Sequence, residues 1–270
     1  MPEEARAMAM WLTEELTGKT RAEILLRQEQ LEIRGLDGYL ERLLEGEPIQ
    51  YVFGRTEWMG LSLRVTGATL IPRPETSELV DWVTSDNGKR GSHLRVLDIG
   101  TGSGCIAIAL KKRQPQWEVS AWDVSKEALE TAKENARNNG VEIDFDRVDI
   151  LSETGGRPER EDSNGNQYRF DIVVSNPPYI LSSERSTMDR NVTGYEPESA
   201  LFVPDDDPLI FYRAIAQKRL APAVYFEINE RMGDKVKKLL TSEGYENVVV
   251  RKDSYGKDRM VRAEFMIYGL

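Results

Sequence analysis

The sequence is nearly devoid of soft-metal chemistry. Its 270 residues include one cysteine, Cys105, and one histidine, His93. A single thiol excludes an intramolecular disulfide, and with one imidazole it cannot make a His/Cys metal site. The lone thiol fits a reducing cytosol, and its apolar neighbours mark it as a small core residue. No apolar run reaches the length of a membrane-spanning helix, and no charged-then-apolar leader opens the chain. Positive charge is also scarce: 36 Lys and Arg stand against 46 Asp and Glu, a net charge of −10. Affinity for phosphates comes largely from Lys and Arg, so the chain is a poor generic nucleic-acid binder. What is present is an apolar content of 40%. That supports a sizeable core, on a length suited to one domain plus a small appendage.

Residues 1–47 are rich in Glu, Leu, Arg and Ala. Ala9, Leu12 and Leu16, then Ile24, Leu25 and Leu31, then Leu36, Leu40, Leu43 and Leu44 recur at helical spacing, punctuated by Gly18, Gly35 and Gly46. The expectation is a small helical domain for substrate recognition; the alternative is a mere N-terminal decoration. Residues 48–74 contain an alternating stretch, Leu61-Ser62-Leu63-Arg64-Val65, and read as a linker with a β-hairpin. A helix begins near Glu75. Residues 75–270 form the third segment. Strands are expected at 94–99, 118–123, 144–149, 170–175 and 223–228, and helices at 103–113, 125–138, 208–219 and 231–243. Such alternation implies an α/β, doubly wound, mostly parallel sheet with helices on both faces. Residues 248–250 and 263–267 flank a turn-rich stretch and read as a closing antiparallel hairpin. Residues 152–168 are polar and glycine-containing, a loop without chemistry.

Two devices carry the chemistry. Asn176-Pro177-Pro178-Tyr179 follows the apolar run Phe170–Val174. Asn176 offers a side-chain acceptor. The prolines lack N–H groups and fix φ, which holds nearby carbonyls outward. Tyr179 offers a flat face. Two acceptors beside an aromatic wall suit a planar –NH2 group, an amide or an exocyclic amine. The alternative is a rigid turn that merely ends a strand.

The second device is Val96-Leu97-Asp98-Ile99-Gly100-Thr101-Gly102-Ser103-Gly104. An apolar strand enters a glycine loop that opens a helix, so backbone can approach a ligand closely. Alone this motif is weak. Its partner is Asp123, which ends the next apolar run about 20 residues on and can accept both ribose hydroxyls of a nucleoside cofactor. A dehydrogenase would share these features but would have no need of Asn-Pro-Pro-Tyr. The pairing resembles that of the S-adenosylmethionine-dependent amino-methyltransferases.

The chain resembles the peptide-chain release factor N5-glutamine methyltransferases. The resemblance rests on Gly46-Glu47-Pro48-Ile49-Gln50-Tyr51, Leu70-Ile71-Pro72-Arg73-Pro74-Glu75-Thr76, the glycine loop, Asn176-Pro177-Pro178-Tyr179-Ile180, Tyr195-Glu196-Pro197 and Asp258-Arg259. It covers about residues 20–268. Glu227-Ile228-Asn229-Glu230-Arg231 departs from a stretch richer in glycine and glutamine, and Ser77 stands where an acid is common. The resemblance implies a small helical domain joined to a seven-stranded, Rossmann-like class I methyltransferase domain. It implies S-adenosylmethionine as cofactor and the Gly-Gly-Gln loop of bacterial class I release factors as substrate.

The site residues follow. Asn176 and the Pro177 carbonyl are expected to hold the substrate amide, with Pro178 and Tyr179 beside it, and Asn176 is expected to face the cofactor as well. Asp98 is expected near the methionine ammonium. Gly100, Thr101, Gly102, Ser103 and Gly104 are expected along the cofactor, with Asp123 on the ribose and Asp149 with Ile150 at the adenine. The alternative for Asp149 is a helix N-cap or turn acid. Arg73 and Glu75 read either as an interdomain ion pair or as residues of the cofactor-side mouth. A cytoplasmic monomer without metal, membrane or nucleic-acid partner is expected. The alternatives are a nucleobase amino-methyltransferase acting on adenine N6 or guanine N2, which should carry a basic groove, and a non-catalytic adapter, which would not preserve Asp123 and Asn176 together.

Overall fold

The computed structural model describes residues 2–26, 35–88, 93–153 and 170–265. It divides into two compact units, residues 1–53 and 54–270. Most of the loop expected at 152–168, and Leu31, lie outside the described residues. Among those described, no helix is long and apolar enough to cross a membrane.

The first unit contains α1 (Pro2–Thr17), α2 (Arg21–Leu26), α3 (Leu36–Leu44) and α4 (Ile49–Phe53). Its buried residues are Leu12, Ile49, Tyr51 and Val52, and beside them the half-buried Phe53 ring meets Trp11 at 5.7 Å and Tyr39 at 5.6 Å. Arg42 closes this cluster from one side, giving hydrogen bonds to the Glu47 carboxylate and to the carbonyls of Tyr51 and Val52. Helix α4 falls inside the segment read as a linker. Its β-branched and aromatic residues favour a strand locally. The Pro48 carbonyl instead accepts the N–H groups of Tyr51 and Val52, at 2.8 and 3.0 Å, and Ile49, Tyr51 and Val52 are buried. Burial overrides local preference here.

The second unit opens with the hairpin β1 (Arg55–Trp58) and β2 (Leu61–Arg64). Met59 and Gly60 both have positive φ, 50° and 74°, as a two-residue hairpin turn demands. The alternating burial turns Trp58, Leu61 and Leu63 into the core beside α5 (Thr76–Asn87). The hairpin is therefore part of the second unit's core.

Strand–helix alternation then follows: β3 (Arg95–Ile99), α6 (Cys105–Arg113), β4 (Glu118–Asp123), α7 (Lys126–Asn138), β5 (Asp144–Arg147) and β6 (Ile172–Ser175). Next come the short elements β7 (Ile180–Leu181), a 3-10 turn over Ser182–Thr187, α8 (Arg190–Thr193), α9 (Glu198–Leu201) and β8 (Phe202–Val203). The chain closes with α10 (Ile210–Lys218), β9 (Ala223–Glu227), α11 (Gly233–Ser242), β10 (Glu246–Lys252) and β11 (Asp258–Glu264). Seven strands form one sheet in the order β10-β11-β9-β6-β3-β4-β5, in which β11 alone runs antiparallel to its neighbours. One face packs against α5 and α6, the other against α10 and α11. The central strands are largely apolar because both their faces are covered, with Asp98 of β3 and Ser175 of β6 as buried polar exceptions.

The strand order fixes where a ligand goes. From β3 the chain winds outward to β4 and β5. It then returns to β6 on the other side of β3 and winds outward again to β9. The crevice outside the carboxyl ends of β3 and β6 is thus the topological switch point, where ligands of open α/β sheets bind.

Candidate active site

Both sequence devices leave the sheet at that switch point. The glycine loop follows Ile99 of β3, and Asn176 follows Ser175 of β6; Ile99 and Ser175 are register partners. A cavity of about 480 Å³ opens there, a size typical of small-ligand sites. Gly100, Thr101, Gly102, Ser103, Asp123, Asp149, Ile150, Asn176, Pro177 and Pro178 all line it. Asp98, Gly104 and Tyr179 do not, and each has another place.

The loop conformation explains its glycines. Gly100, Gly102 and Gly104 have φ of 73°, 55° and 81°, the left-handed region that disfavours side chains. Gly104 has a second reason. A Cβ there would lie 3.1 Å from Ala132 Cβ and 3.2 Å from Ile108 Cδ1, so the residue lets α6 approach α7 rather than facing the cavity. The buried Asn135 of α7 braces the loop from behind, donating to the Ser103 and Arg64 carbonyls and accepting the Arg64 N–H.

Asp123 is held in place by backbone. Its Oδ2 accepts the Gly102 N–H and its Oδ1 the Ser125 N–H, both at 2.9 Å. Each carboxylate oxygen can accept a second bond. Burial pushes its pKa up, and these hydrogen bonds pull against that shift. Asp149 lies beyond the end of β5, its Oδ1 taking the Leu151 N–H at 2.9 Å in a turn. It is thus both a turn acid and a cavity residue. Ile150 forms an apolar wall with Val124 and Leu151.

Asp98 lies beneath the loop, fully buried. Thr101 donates to its Oδ2 at 2.7 Å, while Oδ1 has no hydrogen-bond partner. Burial raises the carboxyl pKa to about 7, and neighbouring Asp123 pushes the same way. The Thr101 hydroxyl and the backbone of Ala107 in the first turn of α6 oppose that rise. Cys105 also lines the cavity, but burial drives its thiol up to about 12, so it is inert.

Asn176 is half-buried. Its Nδ2 donates to Thr76 Oγ1 at 3.3 Å, and Thr76 Oγ1 donates to Glu227 Oε2 at 2.7 Å. Tyr179 turns its hydroxyl to the other oxygen, Glu227 Oε1, at 3.2 Å. Its ring lines a second compartment of about 130 Å³ with Ile180, Met188, Val192 and Leu201. Leu70, Arg73, Asn176, Pro177 and Ala200 line both compartments. The two spaces therefore share a wall that includes Asn176 and Pro177.

Arg73 pairs with Glu196 rather than with Glu75, at 2.6 Å, and the Glu196 side chain is only 1% exposed. Trp58 Nε1 donates to the Arg73 carbonyl at 2.8 Å. The Pro72-Arg73-Pro74 segment is thereby fixed over the cavity. Thr76, Glu196 and Glu227 belong to the site's framework, and the sequence reading gave none of them a role. Thr76 and Glu196 stand in segments that carry the family resemblance, whereas Glu227 opens a stretch that departs from it.

Two family models match the chain: the methyltransferase small domain over residues 79–192, and the PrmC N-terminal domain over residues 2–54. A release factor glutamine methyltransferase of Bacteroides thetaiotaomicron is 42% identical, covering 97% of this chain and 93% of its own length. One of Flavobacterium psychrophilum is 44% identical over 89% of this chain and 83% of its own length. Among solved structures, the N-terminal domain of human METTL16 in complex with SAH has a TM-score of 0.55 at 20% identity, covering 77% of each chain. That likeness bears on the fold alone.

Proposed function

This chain belongs to the release factor glutamine methyltransferase family, and we propose that it methylates the N5 side-chain nitrogen of the glutamine in the Gly-Gly-Gln loop of a bacterial release factor, using S-adenosylmethionine. The observation that carries this reading is the wall, including Asn176 and Pro177, that two compartments share. The larger has the residues a nucleoside cofactor needs; the smaller is mainly apolar and has the two acceptors in its wall.

The residues fit the cofactor. Asp123 takes the ribose through the lone pairs its backbone bonds leave available. Gly100 to Ser103 follow the methionine portion, and Asp98, with its unpartnered oxygen, meets the ammonium. Ile150, Val124 and Leu151 wall the adenine. S-adenosylmethionine supplies a methyl group activated on a sulfonium centre.

The protein's own task is orientation. An amide nitrogen is a poor nucleophile because its lone pair is delocalised into the carbonyl. Asn176 Oδ1 and the Pro177 carbonyl accept the two amide hydrogens and turn the nitrogen toward the larger compartment. Tyr179 and its apolar neighbours exclude water from the smaller one. Such positioning lowers a barrier by up to about 7–11 kcal/mol in ideal cases. No strong base is required before transfer, since the amide proton becomes acidic only afterwards.

A nucleobase amine would suit the same two acceptors, but the net charge of −10 works against a phosphate backbone. The helical unit supplies a second contact on the folded factor: it exposes Leu25, Leu26 and Leu44, at 59%, 83% and 86%, and exposed large apolar side chains in one small unit suit a protein partner. The test is methyl transfer to purified release factors, with the loop Gln→Ala factor as control. Methylation of the Gln→Ala factor, or none of the wild-type factor, would refute the reading.

A further inference from the structure

We propose that Thr76 and Glu227 are positioning residues that decide which end of the Asn176 amide faces the substrate. The inference rests on the methyltransferase reading and deepens it.

The argument is one of proton inventory. Thr76, the first residue of α5, and Glu227, the last of β9, are 2% and 1% exposed. An ionised carboxylate only accepts hydrogen bonds. The 2.7 Å contact between Thr76 Oγ1 and Glu227 Oε2 therefore commits the single hydroxyl proton to Glu227. What Thr76 presents to Asn176, 3.3 Å away, is a lone pair. The asparagine must meet it with Nδ2–H, because Oδ1 there would set two acceptors in contact. Oδ1 is then turned away from Thr76 and remains an acceptor. An acceptor is what a substrate –NH2 group requires; a flipped Asn176 would offer it another –NH2.

Glu227 also holds the far end of the same turn. Its Oε1 accepts the Tyr179 hydroxyl at 3.2 Å, and its backbone carbonyl accepts the Tyr212 hydroxyl at 3.0 Å. One carboxylate thus spans the Asn-Pro-Pro-Tyr turn, fixing Tyr179 directly and Asn176 through Thr76. Burial raises the Glu227 pKa. The hydrogen bonds from Thr76 and Tyr179 and the nearby Arg259 charge favour the ionised form the relay needs, while Glu75 opposes it. Arg259 is held in turn by the buried Asp253, Nε to Oδ2, at 3.1 Å.

The experiment is single-turnover methylation of intact release factor, with cofactor affinity measured by calorimetry on the same preparations. Thr76→Val keeps the shape and removes the hydroxyl. The transfer rate should fall roughly 10- to 100-fold, since a small misplacement of a reacting group costs up to about 10²-fold. Cofactor affinity and the apparent affinity for the factor should stay within about twofold. Thr76→Ser restores the hydroxyl and should recover most of the rate. Glu227→Gln should slow transfer in the same way. Combined with Thr76→Val it should add little, because both act through one bond. Wild-type rates in Thr76→Val and Glu227→Gln, failure of Thr76→Ser to recover, or a loss confined to substrate affinity would each overturn the inference and leave the methyltransferase reading intact. A wild-type protein that methylates neither factor nor loop peptide overturns both.

Discussion

Ser175 Oγ donates a hydrogen bond to the Ile99 carbonyl at 2.7 Å, across the same β3–β6 register that pairs the two residues. Each stands at the last position of its strand, one before the loop that carries half of the site. The bond therefore ties the glycine loop to the Asn-Pro-Pro-Tyr turn at their roots. Ser175 is fully buried. Removing one partner of a buried hydrogen bond costs about 1–3 kcal/mol. Ser175→Ala is expected to lower unfolding stability by that amount, measured as a shift in the urea midpoint with unchanged slope. An unmoved midpoint would show the bond to be idle.

Asn176→Ala takes away one of the two proposed amide acceptors and leaves the cofactor compartment's other walls in place. Cofactor binding should persist within a few-fold, while single-turnover transfer should drop by about 10²-fold or more, the usual cost of deleting a preorganised polar group at a reacting centre. Turnover close to wild type would remove Asn176 from the mechanism.

Much of the fold was legible because the central strands are buried on both faces. Runs such as Val96–Ile99 and Ile172–Val174 leave no other reading once glycine and proline close them. The place of Asp123 at the end of β4, beside the glycine loop, was legible for the same reason, because it ends an apolar run. Residues 48–53, read only as part of a linker, carry no helical periodicity of their own, and it is the Pro48 carbonyl and burial that make 49–53 a helix. Glu227 was illegible on other grounds. Its partner Thr76 is 151 residues away in sequence, and only the pairing of β9 with β6 brings its carboxylate behind Asn176 and Tyr179. The Arg73–Glu196 pair is equally long-range, which is why Arg73 was first set against its neighbour Glu75.

Asp123→Ala should weaken S-adenosylmethionine binding about tenfold or more, since hydrogen bonds to a charged acceptor contribute roughly 1.5–3 kcal/mol. Part of the loss comes from releasing the Gly102 and Ser125 N–H groups that the carboxylate now holds. Calorimetric titration measures it, and an unchanged dissociation constant would exclude Asp123 from the cofactor site.

If the helical unit reads the folded factor, a chain without residues 1–53 should lose far more activity on intact factor than on a peptide carrying the glutamine loop. Circular dichroism and a thermal melt establish that the truncated chain is folded. Equal proportional losses on both substrates would mark the unit as structural.

Asp98 gives the pH dependence its sign. In the free protein, burial lifts its pKa from the ordinary 3.8 to about 7. Below the ordinary value the group is protonated in both folded and unfolded chains and contributes its full share of stability. Between 3.8 and about 7 the unfolded chain ionises while the folded one resists, so that contribution is lost as pH rises. A cofactor ammonium against Oδ1 would favour the carboxylate and pull the folded pKa down. Binding must then release a proton at pH below about 7, and the dissociation constant should rise toward tenfold per pH unit as the solution is acidified through that range. Above it the affinity should level off. Asp98→Asn should bind more weakly and without this slope. Calorimetry near pH 6 in two buffers of different ionisation enthalpy reads the released proton directly. Cofactor binding that releases no proton there would mean that Asp98 serves only to hold Thr101 and the glycine loop.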